Sequence, residues 1–287
     1  MSTPVDQNAG EGIYFNDGEN ATEMARLMLQ DRLVTMSMGG ILPERTDALP
    51  RASRVLDLGC GPGGWVLDVA FAYPQSEVIG VDSSNTVIEY ARAQAWTRGL
   101  HNASFQVKNI LKPLDFPDAS FDLVNARMIF SFVPAALWPA LLAECKRLLR
   151  PGGTIRLTEG EMPISNSESL EKMSGLITQA LKMVKQSFSP DGRHIGITPM
   201  LGRLLRDAGY TDIQKKAYAA ESSAGTELRE GFYQDVMAGY KLVQPVLVGL
   251  NLVSQEEVDD LYQRMLAEIM LDDFCEMMFL LTAWGRK

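Results

Sequence analysis

Apolar runs of strand length alternate with segments of helical periodicity through the middle of the chain. Residues 55–58 are a short run of β-branched and aliphatic side chains around one aspartate, which is typical of a buried parallel strand. Residues 65–73 then repeat apolar side chains at helical spacing. Because alternating strands and helices build a sheet covered on both faces, the pattern predicts a doubly wound α/β fold. Further strands are predicted over residues 78–81, 104–108, 154–159, 213–217 and 277–284, and further helices over residues 86–98 and 199–208.

The two ends of the chain add helices to this alternation. Apolar residues recur at helical spacing between Met24 and Val34, ahead of the first strand. Two more helices, about 226–247 and 254–271, separate the last two predicted strands, and the second begins with a Ser254-x-x-Glu257 capping box. The predicted division is an N-terminal helical lid (1–50), a core (51–220 and 276–287, with a cap helix at about 165–188) and a helical insertion (221–275).

Glycines follow the first predicted strand at once. Gly59, Gly61 and Gly64 satisfy the G-x-G-x-x-G pattern and leave the first N–H groups of the next helix uncovered, as in a nucleotide-binding turn. Asp82 ends the second predicted strand, about where a ribose-binding acid belongs in a dinucleotide site. Two classes of cofactor use such a turn, so the glycines alone leave the cofactor open.

Three longer segments are more specific than the glycines. Residues 55–63 read Val-Leu-Asp-Leu-Gly-Cys-Gly-Pro-Gly, residues 116–124 read Phe-Pro-Asp-Ala-Ser-Phe-Asp-Leu-Val, and residues 148–153 read Leu-Leu-Arg-Pro-Gly-Gly. In this order they resemble the class I S-adenosylmethionine (SAM) dependent methyltransferases, in the broad group that includes ubiquinone/menaquinone-type C-methyltransferases and natural-product methyltransferases. The resemblance covers residues 54–160. It implies a Rossmann-like seven-stranded sheet of order 3-2-1-4-5-7-6, with strand 7 antiparallel, under a helical cap.

The resemblance also implies where the cofactor binds. SAM has no phosphate but carries an ammonium and a sulfonium, which the Asp57 carboxylate at the strand end would favour. The Asp82 carboxylate is expected to accept hydrogen bonds from the ribose hydroxyls. Asn109 stands where the family usually has an acid, and its side-chain oxygen can still accept a hydrogen bond from the adenine amino group. The predicted cofactor-binding residues are Tyr14, Asp57, Gly59, Gly61, Asp82, Ser83, Asn109, Ile110 and Arg127.

Two of these residues have a structural alternative. Tyr14 is a candidate to cover the adenosyl or methionyl part, or else packs the N-terminal helix onto the domain. Arg127 is expected near the methionyl end or the acceptor mouth. The alternative is a partly exposed arginine that pairs with an acid such as Asp122 or Glu159.

The catalytic residues are less clearly marked. Relatives often have a histidine pair after the fourth strand, and it is missing here; the chain has only two histidines, His101 and His194. His194, in the loop after the cap helix, is the predicted general base, with a non-catalytic loop histidine as the alternative. Glu159, at the end of the fifth strand, is the second predicted catalytic residue, and Glu161 competes for the same role.

Composition narrows the partners. The 287 residues are 46% hydrophobic and 22% charged, as expected of a globular chain, and the net charge of −9 disfavours nucleic acid because no basic face is available for phosphates. The chain has three widely spaced cysteines, which indicates a reducing compartment. Their spacing is not that of metal ligands. No apolar run is long enough to span a bilayer. We therefore expect a cytoplasmic protein with no metal and no membrane contact, whose apolar insertion could also serve a homodimer.

Together these features predict a SAM-dependent methyltransferase acting on a small, largely apolar acceptor. The helices of the insertion and the cap helix are interpreted as walls of the acceptor pocket, although their methionine and aromatic stripes would equally suit ordinary core or a dimer contact. Oxygen is the predicted acceptor atom, with carbon or nitrogen as the alternative. A non-catalytic SAM-binding protein or an NAD-dependent oxidoreductase would also fit the glycine turn, and the acceptor's identity stays open.

Overall fold

A mostly parallel sheet forms the centre of the computed structural model, which describes residues 21–45 and 49–287. Its strands are β1 (Arg54–Leu58), β2 (Glu77–Asp82), β3 (Ala103–Val107), β4 (Phe121–Arg127), β5 (Leu149–Gly160), β6 (Ile164–Ser165), β7 (Thr211–Glu221) and β8 (Glu276–Arg286). The helices are α1 (Ala21–Met38), α2 (Gly64–Ala72), α3 (Asn85–Thr97), α4 (Trp138–Leu148), α5 (Glu168–Met183), α6 (Leu201–Asp207), α7 (Arg229–Gly249) and α8 (Gln255–Ile269).

The strand order is β3-β2-β1-β4-β5-β8, and β7 pairs with the other side of β8. β8 is antiparallel to both of its long neighbours, β5 and β7. The predicted Rossmann-like order with one antiparallel strand is therefore confirmed. The structure adds β6, a two-residue strand that pairs with β8 where β5 has already ended. A segment this short has no alternating pattern that the sequence could reveal.

The sheet is buried between two helical layers. One face packs against α4 and α6 around Trp138, Leu142 and Leu205. The other packs against α2 and α3 around Trp65 and Ile88. All five side chains are essentially inaccessible to solvent, so burial of the apolar strands and helix faces supplies the main stabilisation of the core.

Three helices, α5, α7 and α8, pack on one another at one end of the sheet. Their shared core includes Met173 of α5, Val236 of α7 and Met265 of α8. The predicted capping box is present at the start of α8, where the Ser254 Oγ accepts from the Glu257 N–H and a Glu257 carboxylate oxygen accepts from the Ser254 N–H. We call α5, α7 and α8 the cap helices. Helix α5 lies within residues 165–188, and α7 and α8 lie within residues 221–275.

Helix α1 lies between the cap helices and the sheet. Val34 and Met38 pack against Tyr218 of β7 and Leu280 of β8. A second link runs from Arg26, whose Nη1 donates to Asp235 of α7 at 2.9 Å. These contacts place α1 across the carboxyl ends of the parallel strands, where open α/β sheets bind ligands.

Candidate active site

A cavity of about 950 Å³ opens between the sheet and the helices above it. The carboxyl ends of the parallel strands form its floor, and α1, α5 and α7 form its walls. This volume lies at the upper end of the range for small-molecule pockets, so the space can hold a nucleoside-type cofactor and a second small molecule together.

The glycine turn forms one end of the cavity. Gly59, Gly61 and Gly63 have φ angles of +64°, +52° and +85°, which favour glycine. A Cβ at Gly59 would lie 2.9 Å from the Phe132 ring, whereas a Cβ at Gly61 would have no atom within 4 Å. The backbone at Gly61 therefore faces open cavity space, and a ligand can approach it closely.

Two carboxylates lie beside this turn. The Asp82 Oδ2 accepts from the Gly61 N–H at 3.1 Å, and its Oδ1 accepts from the Ser84 N–H at 3.0 Å. Burial raises the pKa of Asp82, and these N–H donors oppose the rise. Burial also raises the pKa of Asp57 to about 7, although Asn125 donates to the Asp57 Oδ1 at 2.7 Å. Five of the residues predicted to bind the cofactor line the cavity: Asp57, Gly59, Gly61, Asp82 and Ser83.

The residues after β3 form the next part of the wall. Asn109 and Ile110, two further residues that the sequence predicts to bind the cofactor, line the cavity, and Ile110 is buried. The Asn109 Oδ1 already accepts a hydrogen bond from the Leu111 N–H at 2.9 Å, so one of its lone pairs is used by the local turn. Ser84, which accepts from the Val87 N–H, caps α3.

Arg127 at the end of β4 lines the cavity and pairs with α1. Its guanidinium contacts the Asp31 carboxylate, donates to the Thr35 hydroxyl at 3.0 Å and lies over the Trp65 ring. Burial, together with the positive charge of Arg156, lowers the pKa of Arg127 to about 9. The sequence suggested Asp122 or Glu159 as the acid that pairs with Arg127, and neither is its partner in the structure. The partner of Arg127 is Asp31 of α1. The sequence pattern predicts that Asp31 lies on a helix, but it does not show which residue that helix contacts.

The structure does not bring either predicted catalytic residue to the cavity. The His194 side chain is exposed, and His194 is not among the lining residues, although its neighbour Ile195 is. Glu159 is fully buried, and its carboxylate accepts from the N–H groups of Ile129 at 3.1 Å and Phe130 at 3.4 Å. Burial raises the pKa of Glu159 to about 8. Because β5 continues to Gly160, Glu159 lies inside the strand and holds the turn after β4.

Glu161 lies in the cavity wall instead. Its Oε2 accepts from the Gly196 N–H at 3.0 Å, and its Oε1 accepts from the Thr198 N–H at 3.2 Å and the Thr198 hydroxyl at 2.8 Å. All three donors are neutral groups. Glu161 therefore presents to the cavity a carboxylate that is held by three neutral hydrogen-bond donors.

The sequence pattern did not predict several residues that line the cavity. Asp31 and Arg26 reach it from α1, and Asp235 reaches it from α7. The predicted contact Tyr14 lies outside the described residues. Among those described, no group of three or more histidine, cysteine, aspartate or glutamate side chains could hold a metal ion. None of the described helices has the length and apolarity of a membrane span.

Known proteins share this arrangement. The family model described as a methyltransferase domain matches residues 55–153. An uncharacterized methyltransferase of Schizosaccharomyces pombe is 30% identical over 182 residues, which is 61% of this chain and 61% of the relative. The demethylmenaquinone methyltransferase of Geobacillus kaustophilus is 28% identical over 178 residues, which is 58% of this chain and 75% of the relative. The YcgJ protein of Bacillus subtilis has a crystal structure with a TM-score of 0.55 at 20% identity, covering 88% of this chain and 99% of that one.

The sheet order, the glycine turn with its two carboxylates and these matches define the class. The matched domain, residues 55–153, is that of a class I SAM-dependent methyltransferase, in which SAM is the methyl donor, and the chain is similar to methyltransferases that act on small molecules. The aligned segments span between 27% and 76% of the length of the curated relatives, and less than two thirds of most of them.

Proposed function

We propose that the chain transfers a methyl group from SAM to an oxygen atom of a small, largely apolar acceptor that binds between the sheet and the cap helices. The observation that carries this proposal is the continuity of the cavity. The same space extends from the glycine turn to α5 and α7, so both reactants can meet inside it. Fold alone would not suffice, because one fold serves many reactions.

The cofactor end matches what SAM presents. Asp82, which lines the cavity, would accept hydrogen bonds from the ribose hydroxyls, and the backbone at Gly61 leaves room for the ligand beside it. Asp57 offers a carboxylate for the ammonium of the methionyl part. Ile110 supplies an apolar contact for the adenine ring.

The acceptor end is mainly apolar. Its polar groups include the Glu161 carboxylate, the Tyr240 hydroxyl, which lies 3.1 Å from the Ser174 Oγ, and Asp235, which accepts a hydrogen bond from Arg26. All three are already paired within the protein, so apolar contact would dominate acceptor binding. The apolar lining residues of this part are Leu27, Phe130, Met162, Ile177, Leu181, Leu228, Phe232, Val236, Val243 and Met278.

Bound SAM supplies an electrophilic methyl group that an acceptor atom attacks in line. The chain orients the two reactants and excludes water from them, because α1 and the cap helices cover the strand ends. Glu161 is the general base of the proposal. Its carboxylate would take the proton from the acceptor hydroxyl as the oxygen attacks.

Two measurements test the assignment. Calorimetry with S-adenosylhomocysteine (SAH) should show binding to the purified chain. Incubation with methyl-labelled SAM and a panel of apolar phenols and alcohols should then yield a labelled product, whose methylated atom is identified by mass spectrometry and NMR. Binding of SAH without any methylated product across a panel that also includes carbon and nitrogen acceptors would contradict the proposal.

Carbon is the second candidate acceptor atom. The Geobacillus relative is named as a demethylmenaquinone methyltransferase, and the sequence resembles a group that includes C-methyltransferases. The position of the label in the product separates the two candidates directly.

A charge placed in the acceptor wall should affect the acceptor and spare the cofactor. Tyr240→Glu puts a carboxylate into the cavity part lined by α7, and we expect the KM of the acceptor to rise about tenfold or more, about 1.4 kcal/mol. SAH affinity should stay within about twofold of the wild type. Steady-state kinetics and calorimetry measure the two quantities.

Tyr233→Glu is the matched control. Tyr233 lies on the same helix and packs against the same apolar cluster, but it does not line the cavity. If both variants raise KM equally, or if SAH affinity falls in step with KM, the effect is one of folding and the acceptor site is elsewhere.

A further inference from the structure

A row of buried polar side chains crosses the sheet beneath the cofactor end of the cavity. Asp57 of β1 is paired in register with Asn125 of β4, and Asn125 is paired with Arg156 of β5. Paired residues of neighbouring parallel strands point to the same face of a sheet, so the three side chains form a continuous line. They are 4%, 0% and 1% exposed.

Hydrogen bonds connect the whole row. The Asn125 Nδ2 donates to the Asp57 Oδ1 at 2.7 Å, and the Arg156 Nη1 donates to the Asn125 Oδ1 at 2.8 Å. Beyond Arg156 lies Glu44, in the segment after α1. Its two carboxylate oxygens accept from the Arg156 Nε at 2.6 Å and Nη2 at 3.3 Å. We call Glu44, Arg156, Asn125 and Asp57 the polar ladder.

The polar ladder is costly as a merely structural device. Each member must be desolvated, and apolar side chains of similar size would fill the same positions without that cost. The amide of Asn125 has one donor end and one acceptor end, and the two face Asp57 and Arg156 respectively. This polarity requires a negative group at the cavity and a positive group behind it.

The charges around Asp57 do not favour its ionised form by themselves. Asp82 of β2 and the Cys60 thiol of the glycine turn lie close, and the negative charge of Asp82 raises the pKa of Asp57. Burial is the larger cause and also raises the pKa. The opposing influences come from the polar ladder, namely the hydrogen bond from Asn125 and the positive charge of Arg156.

We propose that Glu44, Arg156 and Asn125 are positioning residues for the cofactor, which keep the Asp57 carboxylate charged and fixed so that it binds the amino group of the methionine part of SAM. The inference deepens the proposed function and rests on its placement of SAM. Arg156 acts through Asn125, and Glu44 holds the Arg156 guanidinium in place. None of the three needs to touch the cofactor.

The test compares two ligands that differ in the group concerned. SAH carries the amino group, whereas 5′-methylthioadenosine has the same adenosine part but no amino acid part. The variants are Asn125→Leu, close in size to the asparagine, and the double variant Glu44→Gln/Arg156→Gln, which removes both buried charges together and leaves neither unpaired. Binding of both ligands is measured by calorimetry between about pH 6 and about pH 7.5, where the ligand's amino group remains protonated.

The protonation of Asp57 determines the direction in which SAH affinity changes with pH. In the wild type, SAH affinity should fall as the pH decreases through about 7, the pKa of Asp57, because the carboxyl then becomes neutral. One variant removes the hydrogen bond from Asn125 and the other removes the positive charge of Arg156, and both of these lower the pKa of Asp57, so the fall should begin at a higher pH. If the pKa of Asp57 is about one unit higher in a variant, the SAH affinity of that variant should be about five- to tenfold below the wild-type affinity at the same pH, for any pH between about 6 and about 7. Affinity for 5′-methylthioadenosine should not change.

The outcomes separate the inference from the function on which it rests. Wild-type protein that binds neither ligand would overturn the cofactor placement, and the inference with it. Variants whose SAH affinity has the wild-type pH dependence would overturn the inference alone, as would an equal loss of affinity for both ligands, which indicates a structural role. A selective, pH-shifted loss for SAH in either folded variant supports it.

Discussion

Replacement of Asp82 by alanine is expected to weaken SAH binding about a hundredfold or more, since each hydrogen bond to an ionised group contributes about 1.5 to 3 kcal/mol. In the proposed complex Asp82 accepts from the ribose hydroxyls. In the free protein its carboxylate already holds the Gly61 and Ser84 N–H groups, so the substitution also loosens the turn that approaches the ligand. Calorimetry measures the affinity, and a thermal melt confirms that the variant is folded.

Asp207→Ala is the matched control for this variant. Asp207 is an exposed carboxylate at the end of α6, pairs with Arg203 and does not line the cavity. It should leave SAH affinity unchanged. A folded Asp82→Ala protein with nearly wild-type affinity would show that the adenosine part binds elsewhere.

The two ligands separate Asp82 from the polar ladder. Asp82→Ala should weaken SAH and 5′-methylthioadenosine alike, because both contain the ribose. The ladder variants should weaken SAH alone. The contrast follows from the positions of the two carboxylates, one at the tip of β2 beside the glycine turn and one within the end of β1.

Local sequence signals mark the residues that line the cavity around the glycine turn. Gly59 and Gly61 need positive φ angles, and Asp82 ends a strongly apolar strand, so each is marked by its immediate neighbours. The carboxyl ends of parallel strands meet at one edge of the sheet, which is why residues far apart in sequence could be assigned to one cavity.

Partners that depend on register or on helix packing were not predictable in the same way. Asn125 and Arg156 face Asp57 only because β1, β4 and β5 are neighbours in a particular register. Asp31 meets Arg127 only because α1 crosses the strand ends. An arginine within the apolar β5 segment was the one available signal for the ladder, since an ionised side chain in a central strand requires a partner.

The proposed base, Glu161, is the competing candidate from the sequence and not His194 or Glu159, for a similar reason. Glu159 and Glu161 are two positions apart and would share a face of an extended strand, so only the point where β5 ends separates them, and that point could not be located to the residue from the sequence. Glu159 lies within the strand and holds the backbone after β4. Glu161, beyond the strand, is free of that task and lines the cavity.

Glu161→Gln is expected to lower kcat for a hydroxyl acceptor about a hundredfold or more, because general bases contribute about 10² to 10⁴ in rate. SAH affinity should remain within about twofold of the wild type, since the proposal places Glu161 beside the acceptor. The informative comparison is between two phenols. One, such as 4-nitrophenol, is ionised near neutral pH and needs no base, and the other is an ordinary phenol that does. The loss of rate should be large for the ordinary phenol and small for the ionised one.

Glu171→Gln is the matched control for this prediction. Glu171 also accepts from a backbone N–H, that of Ser165, and lies at the start of α5, but its side chain is exposed and outside the cavity. Its kcat should equal that of the wild type for both phenols. If Glu161→Gln slows both phenols by the same factor, Glu161 orients the loop at Gly196 and Thr198 and does not remove the proton, because a purely structural loss would not depend on the ionisation of the acceptor.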